Sequence, residues 1–341
     1  MSTPPARAAR SAPDGLVPDV AAAVTAEPGV PGATPVPDGG SGPGRWPWVG
    51  RSWPRWGRTA VLGIVGVLAL ALVWELYKLL GPVEGAGIGQ IRVLPRTDAR
   101  SMPHVWEMVL RLFQPATSAP GAPPLLTPLL TASLFTLAVA MLGWLVGVVV
   151  GAVLAVLMLR WRIAESAVLP WVVLSQTVPL VALAPLVVGW GGRIHIGSLE
   201  WERWMSVAAI SAYLSFFMVA VGALRGLKSP DAVHVDLFRS YAVGWWRTLV
   251  RLRLPAAVPF LLPALRLAAA TSIVGAIVAE VSTGTAGGIG RLIISYAQSA
   301  SGDPAKPWTA IFAAAALGLV AAGLVSLVGT GLRRYRFSEV P

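Results

Sequence analysis

Six long apolar segments, separated by polar connections, dominate the pattern of this chain. Each has close to the ~20 apolar residues that a helix needs to cross a hydrocarbon core of about 30 Å. Lipid cannot satisfy backbone hydrogen-bonding groups, so segments of this length cross a membrane as helices. The pattern therefore predicts an all-α bundle of six spans, at residues 60–80, 131–158, 166–190, 205–224, 259–281 and 308–331.

The composition also indicates a membrane protein. Of the 341 residues, 55% are hydrophobic and 13% are charged, with a mean hydropathy of +0.68, whereas soluble domains carry about 25% charged residues. The absence of cysteine excludes disulfides and thiol catalysis. Since His104, His195 and His234 are far apart in the sequence, no metal site is expected.

The positions of lysine and arginine predict the orientation of the bundle. Seventeen of the 27 basic residues fall in segments that face the cytoplasm if both termini are cytoplasmic. Because basic residues are enriched on the cytoplasmic side of membrane proteins, this distribution predicts cytoplasmic N and C termini. The same bias explains the formal net charge of +11 without nucleic-acid binding.

The N-terminal tail, residues 1–58, has two parts. Up to about residue 44 it is rich in Pro, Gly, Ala and Ser without an apolar period, which predicts disorder, and no signal peptide is apparent. Residues 45–58 alternate four tryptophans with four arginines, a pattern typical of an interfacial anchor on anionic lipid. Stacking on single-stranded nucleic acid is the alternative, which the span that follows at once makes less favourable. Residues 336–341 form a short C-terminal tail.

Two connections between spans are predicted to contain helices. In the outer connection, residues 81–126, the apolar positions Val105, Met108, Val109 and Leu112 predict a short amphipathic helix that rests on the membrane interface. The connection of residues 229–259 carries too many charged residues to lie in lipid, so it must lie in water.

Residues 229–259 are predicted to form two short amphipathic helices. Ser229 as N-cap and Pro230 at the first helical position begin the first. Gly244 allows a sharp turn, and Pro255 ends the second. Either the chain's own spans or a partner protein must bury the two apolar faces, which consist of Val233, Leu237, Phe238 and Tyr241, and of Trp245, Trp246, Leu249, Val250 and Leu252.

This connection resembles the cytoplasmic coupling loop of ABC importer permeases. That loop has a Glu-Ala-Ala motif, a glycine six residues after the Glu, and a Leu-Pro pair thirteen residues further on. Asp236, Leu237 and Phe238 occupy the first slot, Ala242 the glycine slot, and Leu254 and Pro255 the last; the bulkier Leu-Phe and the alanine depart from the pattern. The runs LPAAVPFLLPALRLAAA and VGAIVAE are similar to the branch that imports nitrate, taurine, alkyl sulfonates and vitamin precursors. The resemblance extends from about Trp74 to Tyr335.

The resemblance implies a six-span type I permease domain, residues 59–335, working as a dimer in the bacterial cytoplasmic membrane. A second permease copy, a separate ATPase dimer that holds ATP-Mg, and an extracytoplasmic solute-binding protein are the implied partners, besides lipid. The permease itself would be no enzyme and would bind no cofactor. It would move a small polar or anionic solute. The implied ATPase-coupling residues are Asp236, Leu237, Phe238, Arg239, Ala242, Gly244, Trp245, Trp246, Leu254 and Pro255.

Polar residues within the spans are candidates for the solute path. The third span carries Pro170, Pro179 and Pro185, and such backbone breaks are tolerated in lipid only where neighbours or water satisfy the freed carbonyls. Interhelical hydrogen bonding is the alternative role for these polar groups. The path candidates are Ser175, Gln176 and Thr177, with Ser211, Tyr213, Ser215, Thr271 and Ser272 opposite.

Two ionisable residues of the fifth span bear on competing functions. Glu280 lies near its outer end, where it could serve an outer gate or ion coupling, although contact with water is the favoured interpretation. Arg266 is expected to reach lipid phosphate. A secondary transporter driven by an ion gradient would depend on these two groups, which makes it the weaker hypothesis. An intramembrane enzyme is disfavoured because no histidine, cysteine or aspartate lies in the predicted spans.

Overall fold

The computed structural model describes residues 55–88, 91–193, 195–196 and 199–331. The predicted all-α polytopic fold is confirmed. The elements in chain order are α1 (Arg55–Leu80), β1 (Ala86–Ile88), β2 (Ile91–Leu94), α2 (Val105–Arg111), α3 (Leu126–Arg160), α4 (Arg162–Ser175), α5 (Leu180–Gly191), β3 (His195–Ile196), β4 (Leu199–Glu200), α6 (Arg203–Leu227), α7 (Ala232–Ser240), α8 (Trp245–Thr248), a π-helical turn (Leu249–Arg253), α9 (Leu254–Thr283), α10 (Ile289–Gln298) and α11 (Lys306–Gly331).

Five helices in the described part of the chain are long and apolar enough to cross a membrane: α1, α3, α6, α9 with the turns before it, and α11. Several begin earlier than the hydropathy pattern predicts. Helix α3 begins at Leu126 rather than 131, and α9 begins at Leu254 rather than 259. Polar and proline residues at these ends are compatible with the first helical turn, where backbone N–H groups have no intrahelical acceptor.

The third predicted span is wrong as a single continuous helix. The chain breaks between α4 and α5 and turns by 102°. Pro179 precedes α5 and cannot donate a backbone hydrogen bond, so the helix cannot continue through it. The Tyr213 hydroxyl of α6 donates to the Ser175 carbonyl, and the Thr177 hydroxyl donates to the Leu174 carbonyl. These bonds satisfy backbone groups that the break leaves free.

Helices α3, α6 and α9 form the centre of the bundle. Gly143, Gly147 and Gly151 lie one turn apart on α3 and face α6. A Cβ atom at Gly147 would overlap the Ser215 hydroxyl, and one at Gly151 would lie 2.6 Å from the Phe216 carbonyl oxygen. Small residues at this spacing let two helix backbones approach closely, which is how helices associate where no hydrophobic force drives them together.

The two ends of the bundle differ in the elements that lie there. The loop end carries residues 229–259, and the distal end carries α2 and α10. A core of Leu227, Leu249 and Ala257 with neighbouring residues fills the loop end, and a larger core around Ile273 fills the rest. Each core is closed by apolar side chains from three or more helices, so both ends are held by packing.

The connection of residues 81–126 confirms the predicted helix α2 and adds a short antiparallel hairpin, β1–β2, that the pattern did not predict. Met108 of α2 is buried. Glu75 Oε1 accepts the Val105 N–H and Glu75 Oε2 lies 2.7 Å from His104 Nδ1. His104 and the start of α2 are therefore joined to α1. A second hairpin, β3–β4, connects α5 to α6.

Residues 1–54 and 336–341 lie outside the described residues. The predicted disorder of the N-terminal tail, most of the Trp/Arg anchor and the C-terminal tail therefore stay predictions. Within the described part, the first helix is anchored at the distal end, where the Trp74 indole donates to the Pro103 carbonyl and packs edge-on against Trp308.

Candidate functional site

The first helix of the loop, α7, begins later than predicted. Asp231 stands at its N-cap position, and Ser229 does not. The Ser229 hydroxyl instead donates to the carbonyls of Gly226 and Ala256, so it ties the end of α6 to the start of α9. Pro230 precedes the helix rather than starting it. The N-cap prediction is wrong because this serine satisfies the C-terminal carbonyls of the preceding helix.

The apolar face of α7 is not covered by any part of the chain that the structure describes. Val233, Leu237 and Tyr241 are 77%, 50% and 76% exposed, and no residue of α7 is buried. Phe238 on the same face is half-buried. Three large apolar side chains aligned on one exposed helix face form a surface that stable proteins usually cover with a partner.

A left-handed residue ends α7, and it is Ala242 rather than Gly244. Ala242 has φ 53°, whereas Gly244 has φ −63°. The Val243 N–H donates to the Phe238 carbonyl and the Ala242 N–H to the Arg239 carbonyl. This is the Schellman arrangement, whose left-handed position favours glycine. The glycine slot of the resemblance therefore has a physical reason. The chain turns at the predicted position, but the left-handed residue of the turn is Ala242 and not Gly244.

The second helix of the loop does not end at Pro255. Helix α8 passes through the π-helical turn into α9, and the Leu254 N–H donates to the Leu249 carbonyl five residues back. Pro255 directly follows this turn and has no N–H to continue the intrahelical hydrogen-bond pattern. Arg253 donates to the Leu227 carbonyl at 2.9 Å. The wider turn thus lets one helix run from the loop into the membrane.

The apolar face of the second helix is divided between the bundle and solvent. Leu249 is buried in the core of the loop end, and Trp245 is half-buried beneath the Arg160 guanidinium, which lies 5.5 Å from its ring centroid. Trp246 and Val250 remain exposed. The second helix is therefore anchored to the spans, while α7 projects from them.

Charges on α7 add little stability of their own. Asp236 Oδ1 and Arg239 Nη1 lie 3.1 Å apart, and both side chains are largely exposed. Exposed pairs of this kind contribute about 0–1 kcal/mol. Asp236 and Arg239 are therefore free to exchange this pairing for contacts with a partner.

The path candidates fall into two groups. Ser175, Gln176 and Thr177 lie at the break between α4 and α5, where Tyr213 of α6 joins them through the Ser175 carbonyl. Gln176 is half-buried and its amide is 3.5 Å from the Ser175 hydroxyl. These residues form one polar cluster in an otherwise apolar part of the bundle.

The second group serves helix packing in this structure. Ser272 is buried and donates to the Ala140 carbonyl of α3, whereas Ser215 is buried against Gly147 and donates within its own helix. The Thr271 hydroxyl donates to the Ala268 carbonyl. Ser272 thus matches the interhelical alternative, whereas the hydroxyl groups of Ser215 and Thr271 bond within their own helices.

Glu280 is fully buried at the distal end, so its expected contact with water is wrong. Its two oxygens lie 2.9 and 3.0 Å from the Thr136 hydroxyl of α3, and the Gly290 N–H donates to Oε2 at 2.9 Å. The Thr136 hydroxyl accepts the Ile289 N–H at 2.9 Å. We call Thr136, Glu280, Gly288, Ile289 and Gly290 the Glu280 node.

Glycine makes the Glu280 node possible. A Cβ atom at Gly288 would overlap the Glu280 carboxylate, and one at Gly290 would lie 2.7 Å from the Glu280 Cβ. The carboxylate thereby reaches the N-terminus of α10, where backbone N–H groups favour an anion. The run GTAGGIGRL indicates a turn, but only the contact with Thr136, 144 residues away in sequence, identifies the node.

Comparison with known proteins assigns the family. The binding-protein-dependent transport system inner membrane component family matches residues 147–335, which include the whole loop and the Glu280 node except Thr136. This match covers more than half of the chain. The chain belongs to this family of inner membrane transport components. The resemblance to ABC importer permeases is thereby confirmed.

Individual relatives of this family agree. The formylaminopyrimidine transport permease protein ThiX of Halalkalibacterium halodurans is 34% identical over 145 residues, or 42% of this chain and 54% of that protein. A probable ABC transporter permease of Haemophilus influenzae is 32% identical over 153 residues, covering 45% and 58%. The putative aliphatic sulfonates transport permease SsuC of Bacillus subtilis is 26% identical over 199 residues, covering 58% and 68%. The chain spans little more than half the length of the first two.

Proposed function

We propose that the protein is the membrane-spanning subunit of an ABC importer that moves a small polar or anionic solute by alternating access. Family membership supports this function over a secondary transporter. The observation that carries the proposal is the uncovered apolar face of α7, Val233, Leu237 and Tyr241, on a loop whose second helix continues into a span. Movement of a partner bound to α7 would therefore be transmitted through the loop to α9.

The partner for this face is an ATPase dimer that holds ATP-Mg. Closure of the ATPase pair on ATP would move α7 as a rigid lever, and the spans would follow between inward-open and outward-open states. Only contacts that differ between the two states can transmit the nucleotide state. A second copy of this chain and an extracytoplasmic solute-binding protein complete the proposed importer, with both permease termini in the cytoplasm of a bacterium.

The relatives support a solute class for this importer. Two of them are named for formylaminopyrimidine and for aliphatic sulfonates. We therefore test sulfonates, taurine, nitrate and vitamin precursors first. The complex, reconstituted with its ATPase and binding protein, is expected to hydrolyse ATP faster when one of these solutes saturates the binding protein. Solute uptake that is driven by an imposed ion gradient in the absence of ATP would instead identify a secondary transporter.

Charge reversal at Asp236 tests the coupling site. Asp236→Lys, and separately Trp245→Ala with Trp246→Ala, are expected to abolish solute-stimulated ATP hydrolysis while the protein remains inserted. Glu84→Lys makes the same charge change at an exposed site outside the loop and is expected to have no effect. Normal stimulation and normal ATPase binding in the Asp236 and tryptophan variants would contradict the proposed docking site.

Orientation is testable because the chain has no cysteine. A single cysteine at Arg239 is expected to react with a membrane-impermeant maleimide only after the cytoplasmic face is opened. A cysteine at Glu84 is expected to react from outside in intact cells. Labelling of Arg239→Cys from outside would place the loop out of reach of any cytoplasmic ATPase.

A further inference from the structure

A groove of about 480 Å³ runs along α3 at the loop end. Its apolar wall is formed by Val153, Val156 and Leu157 of α3, and its upper rim by Arg160, Trp161 and Trp246. We call this the α3 groove. Val153 is 60% exposed, and Trp161 and Trp246 are both more than half exposed, so the groove is open on the outside of the bundle.

The depth of the α3 groove limits what can occupy it. Val153 lies seven residues before Arg160 on a continuous helix, which at 1.5 Å per residue corresponds to about 10 Å along the span. This part of α3 belongs to a membrane-length helix. A water-soluble ATPase cannot reach that depth in a bilayer, whereas an acyl chain fits there.

The rim of the groove has the chemistry of a headgroup site. Tryptophan is favoured at the boundary between hydrocarbon and headgroups. In the described part of the chain, no carboxylate forms an ion pair with Arg160, whose guanidinium lies over the Trp245 ring. An arginine without a carboxylate partner, held at the end of a membrane-spanning helix, attracts an anionic phosphate.

We propose that the α3 groove binds an anionic phospholipid, with an acyl chain along Val153 to Leu157 and its phosphate on Arg160. Such a lipid would also contact Trp246, so it would bridge a membrane span and the coupling loop. The inference does not require the proposed transport function, because binding is measured on the full-length chain without ATP.

Lipid binding to the purified full-length protein in detergent tests the proposal by native mass spectrometry. Phosphatidylglycerol is expected to bind about fivefold more tightly than phosphatidylcholine, because both carry a phosphate but only phosphatidylglycerol keeps a net negative charge that one arginine attracts. Arg160→Gln is expected to remove this preference, and Arg160→Lys to keep it. Arg162→Gln is the matched control, because Arg162 is an exposed neighbour that does not line the groove.

The variants separate a defined site from general attraction. An unchanged preference in Arg160→Gln, or an equal loss in Arg162→Gln, would overturn the proposal. Thermal unfolding checks that each variant is folded, and Arg160→Lys retains a meaningful readout if Arg160→Gln does not fold.

Photo-crosslinking identifies the occupant directly. With p-benzoylphenylalanine at Val153, in nanodiscs of phosphatidylcholine and phosphatidylglycerol, we expect adducts enriched in phosphatidylglycerol above its share of the bilayer. The same probe at Leu145, an exposed position of α3 outside the groove, is expected to follow the bilayer composition. A crosslink from Val153 to a second copy of the chain would show that protein, and not lipid, fills the groove and would overturn the proposal.

Discussion

The Glu280 node and the loop of residues 229–259 differ in whether their own residues satisfy one another. In the node, a buried carboxylate, a hydroxyl and two backbone N–H groups from α3, α9 and α10 bind one another, and glycines allow their close approach. In the loop, α7 exposes a row of large apolar side chains, and Ala242, which follows this helix, has a left-handed conformation. The node is satisfied within one chain, whereas the apolar face of α7 stays exposed among the described residues.

Mutations in the two regions should therefore change different quantities. A buried hydrogen-bonded group leaves unsatisfied partners behind when it is removed. Removal of an exposed side chain leaves no unsatisfied group behind, because water takes its place. Changes in the node should therefore lower the free energy of unfolding of the chain itself. Changes in α7 should leave that free energy almost unaltered and reduce association with a partner.

The largest effect is expected from Glu280→Ala. It removes both interactions of the carboxylate, leaves the Gly290 N–H without an acceptor and opens a cavity, which together should lower the free energy of unfolding by about 3–5 kcal/mol. Glu280→Gln should cost less than half as much, because the amide keeps the volume and its oxygen can accept the Gly290 N–H. Denaturation of the purified protein in mixed micelles measures both. Equal, small losses would show that the carboxylate is not structural.

Gly288→Ala should have the next largest effect. Its Cβ would overlap the Glu280 carboxylate, and overpacking of this kind costs about 1–3 kcal/mol. Gly244→Ala in the loop is the matched control, since Gly244 has negative φ and no atom lies within 4 Å of an added Cβ. Thermal unfolding of the two variants compares the regions directly. A larger loss in Gly244→Ala would reverse the comparison.

How far the sequence could predict these regions depends on the range of the interactions that form them. Hydropathy and local signals are sufficient for five of the six predicted spans, for α2 and for the apolar arc of α7. The burial of Glu280 is not predictable in this way, because it depends on Thr136 in a distant span and on how α10 folds back. A residue near the end of a span looks solvent-accessible until the connection that covers it is known.

Prolines in this chain show the same limit. Pro179 marks a true break, while Pro255 lies inside a helix because a π-helical turn precedes it. The two prolines carry similar local signals. Their different outcomes depend on tertiary contacts, the Tyr213 hydroxyl at one and the Arg253 bond to Leu227 at the other.

Leu237→Ala should separate stability from association. Because Leu237 is half-exposed and no residue of α7 is buried, the free energy of unfolding should change by less than about 0.5 kcal/mol. If Leu237 enters the groove of an ATPase, its truncation should weaken that complex by about 1–2 kcal/mol, or roughly five- to thirtyfold in Kd. Leu249→Ala, at a buried position of the same loop, should instead destabilise the chain. Equal losses of stability would mean that α7 is already packed.

The smallest effect is expected from Ala242→Gly. A left-handed conformation costs a non-glycine residue about 1 kcal/mol, and glycine relieves that cost but loses more entropy on folding. The net gain in the free energy of unfolding should therefore be between 0 and about 1 kcal/mol. Ala242→Val should lose stability, because a β-branched side chain tolerates positive φ least. Thermal unfolding and ATPase binding of both variants test whether Ala242 holds the angle between α7 and α8. If the valine variant were as stable as the glycine variant, the left-handed turn would not be a fixed feature of the loop.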